Sequence, residues 1–405
     1  MDRPSTSLRR HRWNLLLLFL SGFHWSLAAT PVQAQGTGAN QEPSSSPQPT
    51  EAPPADSKSD VQNDESQKKS QRERGAFVAA PLPISSPALG AGIVPVLAYI
   101  FPISASDRIS PPSQVGAVGL ATDNGTRAVV LGGQIYFGQG RYRITGVYAR
   151  GNLNYDLYGQ GSGDSQARLS LKQTGQVVFA ESLRRTWWKL FIGPRFLWGS
   201  SLITLRPTDA ESIQLPPDLG LHTTLTAIGF RLSRDTRPNR FYSTAGTFLD
   251  FTSDFFTQGL GSKYSFQSYE FAFNKYFSLT PNQVLASGSF ACITGGEPPF
   301  YANCAYGTNS QLRGYTAGRY LDRYMFGTQL EYRLALPKRL GLVAFGGLGE
   351  VIPGGNQPFR NKNFLPSGGG GIRFALSKQY HVNLRVDFAQ GKDSHTWSIG
   401  VGEAF

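Results

Sequence analysis

The chain has 405 residues, a formal net charge of +12, only 16% charged and 12% aromatic residues, 46 glycines, two methionines and two cysteines. A soluble enzyme of this size carries closer to about a quarter charged residues. Past the N-terminus there is no run of about 18 apolar residues to cross a bilayer as a helix. The basic balance admits nucleic acid, an anionic membrane surface or an acidic ligand. With no basic helix, zinc spacing or RNP-type strand motif, no nucleic-acid partner is expected.

In chain order, Arg9, Arg10 and Arg12 precede the apolar run that starts at Leu15–Leu20, and Val32-Gln33-Ala34 stands before Gln35. That pattern reads as an export signal over residues 1–34, an uncleaved anchor helix being the alternative. Residues 35–75 are rich in Pro, Ser, Gln and charge. They bury too little to offset their ordering entropy, so they read as a disordered periplasmic tail. The basic cluster Lys68, Lys69, Arg72 and Arg74 reads as a solvated charge run, with contact to lipid phosphates the alternative.

From Ala76 to Phe405 the pattern has a period of two. Val382, Leu384, Val386 and Phe388 alternate with Asn383, Arg385 and Asp387. Phe326, Leu330, Tyr332, Leu334 and Leu336 face away from Gln329, Glu331 and Arg333. Ile372, Phe374 and Leu376 bracket Arg373, and Tyr269, Phe271 and Phe273 alternate with Glu270, Ala272 and Asn274. In NLNYDLY, Leu153, Tyr155 and Leu157 are assigned to the apolar face. Arginine between apolar neighbours is costly in a dry core and cheap in a wet lumen. The expected fold is therefore an all-β, transmembrane antiparallel barrel of about 16 strands rather than a soluble sandwich. Asp123-Asn124-Gly125, 159–165, Pro281-Asn282 and 353–356 supply turns. Trp187, Trp188 and Trp198 are candidate girdle anchors. WSIGVGEAF reads as a closing strand ending at Phe405.

Cys292 and Cys304 share one connection, and in an oxidising compartment an even count reads as a disulfide bracing an outer loop. A metal pair would need His or further Cys nearby, and no metal or cofactor is expected. No nucleophile elbow, phosphate loop or His-Glu-x-x-His helix occurs, and His222, His381 and His395 are isolated, so no enzyme is expected.

Three passages carry a resemblance. DTRPNRFYSTAG resembles the Asp-Thr-Arg-Asp-Asn-x-Phe-x-Pro-x-x-Gly turn of the BamA/TamA family of outer-membrane assembly barrels, the bacterial surface antigen superfamily. Asp235, Arg237, Asn239, Phe241 and Gly246 match; Pro238 and Ser243 depart. QLRGYTAGRYLDRYMFGTQLEYRLAL resembles the family's Leu-Arg-Gly-Tyr loop, at Leu312, Arg313, Gly314 and Tyr315, and then its Glu-Tyr-Arg strand, at Glu331 and Arg333. The ending resembles the family's last strands, with Arg373, Arg385 and Asp387 in register and Phe405 resembling the terminal insertion signal. The resemblance implies that the loop folds into the barrel and that Arg313 pairs with acidic residues of the inner wall, Glu331 among them. The family's second carboxylate, in Phe-x-Asp-x-Gly, is replaced by Gly347, and Glu350 has the opposite parity. An ordinary outer-loop charge is the alternative for Arg313.

The family's members usually carry POTRA domains. The tail is too short for one, so the chain reads as a short form whose substrate recognition, if any, comes from a separate periplasmic protein. The expected setting is a monomer in the outer membrane of a Gram-negative bacterium, against lipid and lipopolysaccharide. Three functions are compatible with this: a barrel assisting insertion or translocation of proteins or lipids, a passive pore or structural protein on the same barrel, and an outer-membrane enzyme.

Overall fold

The computed structural model describes residues 75–86, 90–104, 107, 109–158, 168–205, 221–299, 302–306, 312–316, 319–352, 364–377 and 381–405. The export signal and all but Gly75 of the tail lie outside them. The strands are β1 (Ala76–Ser86), β2 (Gly90–Phe101), β3 (Ser113–Thr122), β4 (Arg127–Phe137), β5 (Tyr142–Tyr158), β6 (Arg168–Arg185), β7 (Leu190–Leu205), β8 (Leu221–Asp235) and β9 (Gly246–Phe256). They continue with β10 (Phe266–Thr280), β11 (Gln283–Gly296), β12 (Cys304–Ala305), β13 (Leu321–Asp322), β14 (Tyr324–Ala335), β15 (Leu340–Ile352), β16 (Phe364–Ser377), β17 (Val382–Gln390) and β18 (His395–Val401). β12 and β13 form a small separate sheet in the β11–β14 connection; the other sixteen close one antiparallel barrel. The sixteen-strand barrel read from the sequence is the fold observed.

Alternation sorts the side chains as a barrel between lipid and lumen requires. Leu330 is 54% exposed on the outer face while Glu331 beside it is fully buried inside. Arg373, Asp387, Gln329 and Arg333 are buried inward, whereas Ile372, Phe374 and Phe388 are exposed outward. One assignment is corrected. Tyr155 pairs across the ladder with inward Leu171, and its hydroxyl donates to buried Gln173 (3.1 Å); Leu153 likewise opposes Gln173. NLNYDLY alternates with the opposite sign because it lies above the apolar band. There the outer face carries exposed Arg150, Asn152, Lys172 and Thr174, and the inner face packs.

The strand ends that flank residues 159–167, 206–220, 297–323 and 353–363 lie at one end of the barrel; the opposite end carries tighter turns and both ends of the barrel sheet. Short turns mark the periplasmic side and long loops the outer side. One tight turn, between β6 and β7, breaks local preference. Trp188 and Lys189 both have φ of +59°, the geometry of a hairpin turn that normally uses Asn-Gly. Each residue is placed there at a cost of about 1–2 kcal/mol.

The closing seam is short at the end where β1 begins. β1 pairs with β2 along its whole length, from Ala76↔Ile100 to Ser86↔Gly90, yet meets β18 at a single register pair, Ser85↔Ile399, among the described residues. Two features explain this. β18 ends at Val401, and Gly402, at φ +88°, turns the chain out of the sheet and into the lumen. The reading of WSIGVGEAF as one strand running to Phe405 is thereby corrected. On the β1 side, Pro81 opposes Pro95 of β2. Neither has an N–H, so theirs is a non-hydrogen-bonded pair, and the odd-numbered residues of β1 aim their backbone at the seam. Pro81 and Pro83 thus withhold donors from that edge.

Candidate functional site

The β11–β14 connection folds into the barrel. Its root is fixed to the wall by the Cys292–Cys304 disulfide (Cα–Cα 5.7 Å). Inside, Phe290, Cys304, Tyr306, Leu312, Tyr315, Met325 and Leu365 form an apolar cluster. The Tyr306 hydroxyl donates to the Phe326 carbonyl and that of Tyr315 to the Pro366 carbonyl. Gly314 sits at φ +101° with Gly391 pressed against it; a Cβ there would lie 2.7 Å from the Gly391 nitrogen. Only glycine meets both conditions. The loop also grips the final hairpin: the Gly314 N–H donates to Thr396 (3.2 Å), Ser394 donates to the Gly314 carbonyl (2.9 Å), and Arg319 pairs with Asp393 (2.9 Å).

Arg313 is the tip of this loop, and its guanidinium enters a closed ring of alternating charge. Its Nη2 meets Glu331 Oε2 at 2.5 Å and its Nη1 meets Asp387 Oδ2 at 2.8 Å. Arg333 Nε meets Glu331 Oε1 at 2.7 Å and reaches Glu403 Oε2 at 3.9 Å. Arg373 completes the circuit, with Nε on Glu403 Oε2 at 2.7 Å and Nη1 on Asp387 Oδ1 at 2.5 Å. The Arg313 guanidinium also stacks on the Phe345 ring at 3.3 Å. Arg313, Arg333, Glu331 and Asp387 are all at most 6% exposed. Buried charges persist only where paired and hydrogen-bonded, and here each carboxylate bridges guanidinium groups.

The other two sequence passages arrive at the same place. In the β8–β9 turn, Asp235 accepts from Arg237 (N–H 3.1 Å, Nε 2.9 Å) and pairs with Arg240 (2.8 Å). Asn239 accepts from the N–H of Phe241 (2.7 Å) and of Tyr242, and Gly246 takes φ +91°. These bonds carry Ser243 into the lumen, where its carbonyl accepts from Arg333 Nη1 (3.3 Å). From the C-terminus, the Phe405 carbonyl oxygen accepts from Arg333 Nη2 (3.0 Å), and its ring packs with Tyr276, Ala286 and Ala404. Loop, turn and tail therefore converge on Arg333.

Sequence reasoning paired Arg313 with Glu331 but left the second acid open. The structure supplies it from Asp387 of β17. A Cβ at Gly347 would lie 2.8 Å from Leu312 Cδ1 and 2.8 Å from the Thr328 carbonyl oxygen, so a side chain where the family keeps its Asp collides with both the loop and the neighbouring strand. Glu350 faces away from the ring, opposite Phe326 and Phe364. Glu403 was not foreseen, because strand parity says nothing of a residue past a kink. Its signal was a Gly and then an acid just before the end.

On the opposite wall, Arg231 bridges Asp250 (2.7 Å) and Glu181 (3.3 Å), and Arg195 pairs with Asp254 (3.1 Å). Nearer the outer end, Val177, Phe179, Leu197, Leu225, Phe256 and Phe266 pack together with Ala302 of the inserted loop. This stretch of lumen is filled, not open.

Residues 129–405 match the Omp85 superfamily domain. Among solved structures, BamA from Haemophilus ducreyi lacking POTRA domains 1–3 is similar, with TM-score 0.55, 14% identity, and coverage of 86% of this chain and 78% of that one. CdiB from Acinetobacter baumannii (TM-score 0.53, 12% identity, 80% of this chain and 59% of that one) is similar too. So is CdiB from Escherichia coli (TM-score 0.53, 10% identity, 83% of this chain and 68% of that one). At these identities the likeness is one of fold. A comparison with the curated proteins finds no match.

Proposed function

Because the chain belongs to the Omp85 superfamily, we propose that it is an outer-membrane barrel that assists the insertion or translocation of proteins or lipids by parting its β1–β18 seam. The carrying observation is that β18 ends at Val401, two residues past the Ser85↔Ile399 pair, so among the described residues the Ala76–Leu82 part of β1 has no β18 ladder beside it, whereas pairing between β5 and β6 runs unbroken from Tyr142↔Arg184 through Tyr158↔Arg168. A bilayer penalises unpaired backbone, so a thin seam is the place where the wall opens at least cost. The inserted loop supports the same reading. It braces β16, β17 and β18 from inside, holding that side of the seam in shape while β1 is free to move. A weak seam serves a barrel that acts on what lies beside it in the membrane.

The test uses the register. Ser85→Cys with Ile399→Cys locks the seam through a disulfide. The locked barrel is expected to reach normal levels and heat-modifiability but to fail to restore outer-membrane integrity in a deletion strain, with reductant restoring it. A locked barrel that complements fully refutes seam opening. Conductance in planar bilayers that is high and unchanged by the lock establishes the passive pore instead.

A further inference from the structure

The β6–β7 turn is an unexplained expense in the fold. Trp187 is 70% and Trp188 77% exposed, the rings meeting edge to face at 6.2 Å. Trp188 and Lys189 are held at φ +59°, a conformation disfavoured for both. The turn is nonetheless well built. The Thr186 N–H donates to the Leu190 carbonyl (2.7 Å), and Arg234 Nε donates to the Trp188 carbonyl (2.9 Å). Strain held in place by surrounding bonds points to a use for the side chains it presents.

The surroundings specify that use. Arg184 opposes Tyr142 and Ile192 on the outer, lipid-facing side of the wall, and Arg234 opposes Leu190 two strands away. Phe137 and Tyr142 stack at 5.1 Å at the same level. A charged side chain on the lipid face is costly at the bilayer midplane and nearly free at the interface. Aromatic rings with a polar handle gather at that depth. Arg184, Arg234 and Lys189 thus lie at the headgroup level of the periplasmic leaflet, around the tryptophan pair, and no carboxylate of the described residues is paired with them.

We propose that this turn is a binding site for the phosphate headgroup of an anionic phospholipid in the periplasmic leaflet, with Arg184 and Arg234 on the phosphate and Trp187 and Trp188 against glycerol and upper acyl chain. Barrel purified from outer membranes in a Trp198→Phe, Trp397→Phe background reports from this turn alone, since Trp13 and Trp25 fall in the export signal expected to be removed. It is reconstituted in phosphatidylcholine vesicles holding equal fractions of phosphatidylglycerol, with the bromine quencher on the upper acyl chain of one lipid or the other. Brominated phosphatidylglycerol is expected to quench more strongly, consistent with local enrichment of about five-fold per arginine. The preference is expected to fall in Arg184→Gln, Arg234→Gln and in high salt. Equal quenching by the two lipids overturns the proposal. Absence of quenching by either lipid also overturns it, and leaves the turn in water as a surface for a protein. Because the test reads lipid contact in a folded barrel, it stands or falls apart from seam opening.

Discussion

Arg313 and Glu403 do not touch, yet the ring joins them by two routes, through Asp387–Arg373 and through Glu331–Arg333. Removing Arg313 with alanine leaves Glu331 with Arg333 and Asp387 with Arg373, so the cost falls at the lower end of the about 3–5 kcal/mol for breaking a buried pair. Glu403→Ala leaves Arg373 with Asp387 and Arg333 with Glu331, and about 2 kcal/mol is expected for the lost charged hydrogen bonds. Whichever cut comes first opens the ring; the second acts on groups already relaxed. The double variant is therefore expected to fall short of the sum of the singles by about 1 kcal/mol or more. The assay is urea unfolding of the reconstituted barrel, read by heat-modifiability on gels. Asp393→Ala, which removes the Arg319 pair outside the ring, combined with Glu403→Ala is the additive control. Additivity of Arg313→Ala and Glu403→Ala within about 0.5 kcal/mol refutes a closed circuit.

Gly347→Asp, which restores the family carboxylate, is expected to destabilise by about 1–3 kcal/mol through collision with Leu312 and the Thr328 carbonyl; Leu312→Ala in the same chain should recover only the part of the loss that Leu312 causes, in the same unfolding assay. Gly402→Val is expected to keep the tail out of the lumen, seen as faster hydrogen exchange or carboxypeptidase trimming at Phe405, because φ +88° is closed to a β-branched residue. Reducing Cys292–Cys304, a loop closed over 12 positions, should lower stability by about 2–3 kcal/mol and release the loop root to proteolysis. Asp107 in the β2–β3 turn has its pKa lowered to about 2, first by the Ser110 hydroxyl and then by the N–H groups of Ser110, Gln139 and Ile109. A carboxylate depressed in the folded state stabilises above its unfolded value, and the benefit is lost as pH falls through the folded one. The turn should thus hold at pH 5 and loosen towards pH 2, and Asp107→Asn should abolish that dependence in an acid titration monitored by proteolysis.

Much of the barrel was legible because lipid and lumen impose opposite demands on alternate residues. Arg373, Arg385 and Asp387 declared the inner face by standing between Ile, Leu, Val and Phe. The sign of the alternation was not legible where the wall rises out of the bilayer. Leu153 and Tyr155 face inward there because water lies outside, and no local feature marks the change. The Arg313–Glu331 partnership was legible from motif and parity together. Asp387 as the second partner was not, since strand parity fixes a face but not which strands a long loop spans. The tail was hidden for a related reason: Gly402 ends the periodicity, and Ala404 and Phe405 pack against Tyr276 of β10 and Ala286 of β11 across the lumen.

The ring ties the interior of the barrel to residues that lie past its last strand. Arg313, Arg333 and Arg373 are balanced by Glu331, Asp387 and Glu403, and the last of these belongs to the final residues of the chain. A polypeptide truncated just after β18 would keep every strand and every girdle residue. Its lumen would lack the carboxylate that Arg373 and Arg333 share, with Arg333 also losing the Phe405 carbonyl. The stability of the interior thus depends on residues beyond the last strand, and a barrel with every strand but without Glu403 differs energetically from one that has it.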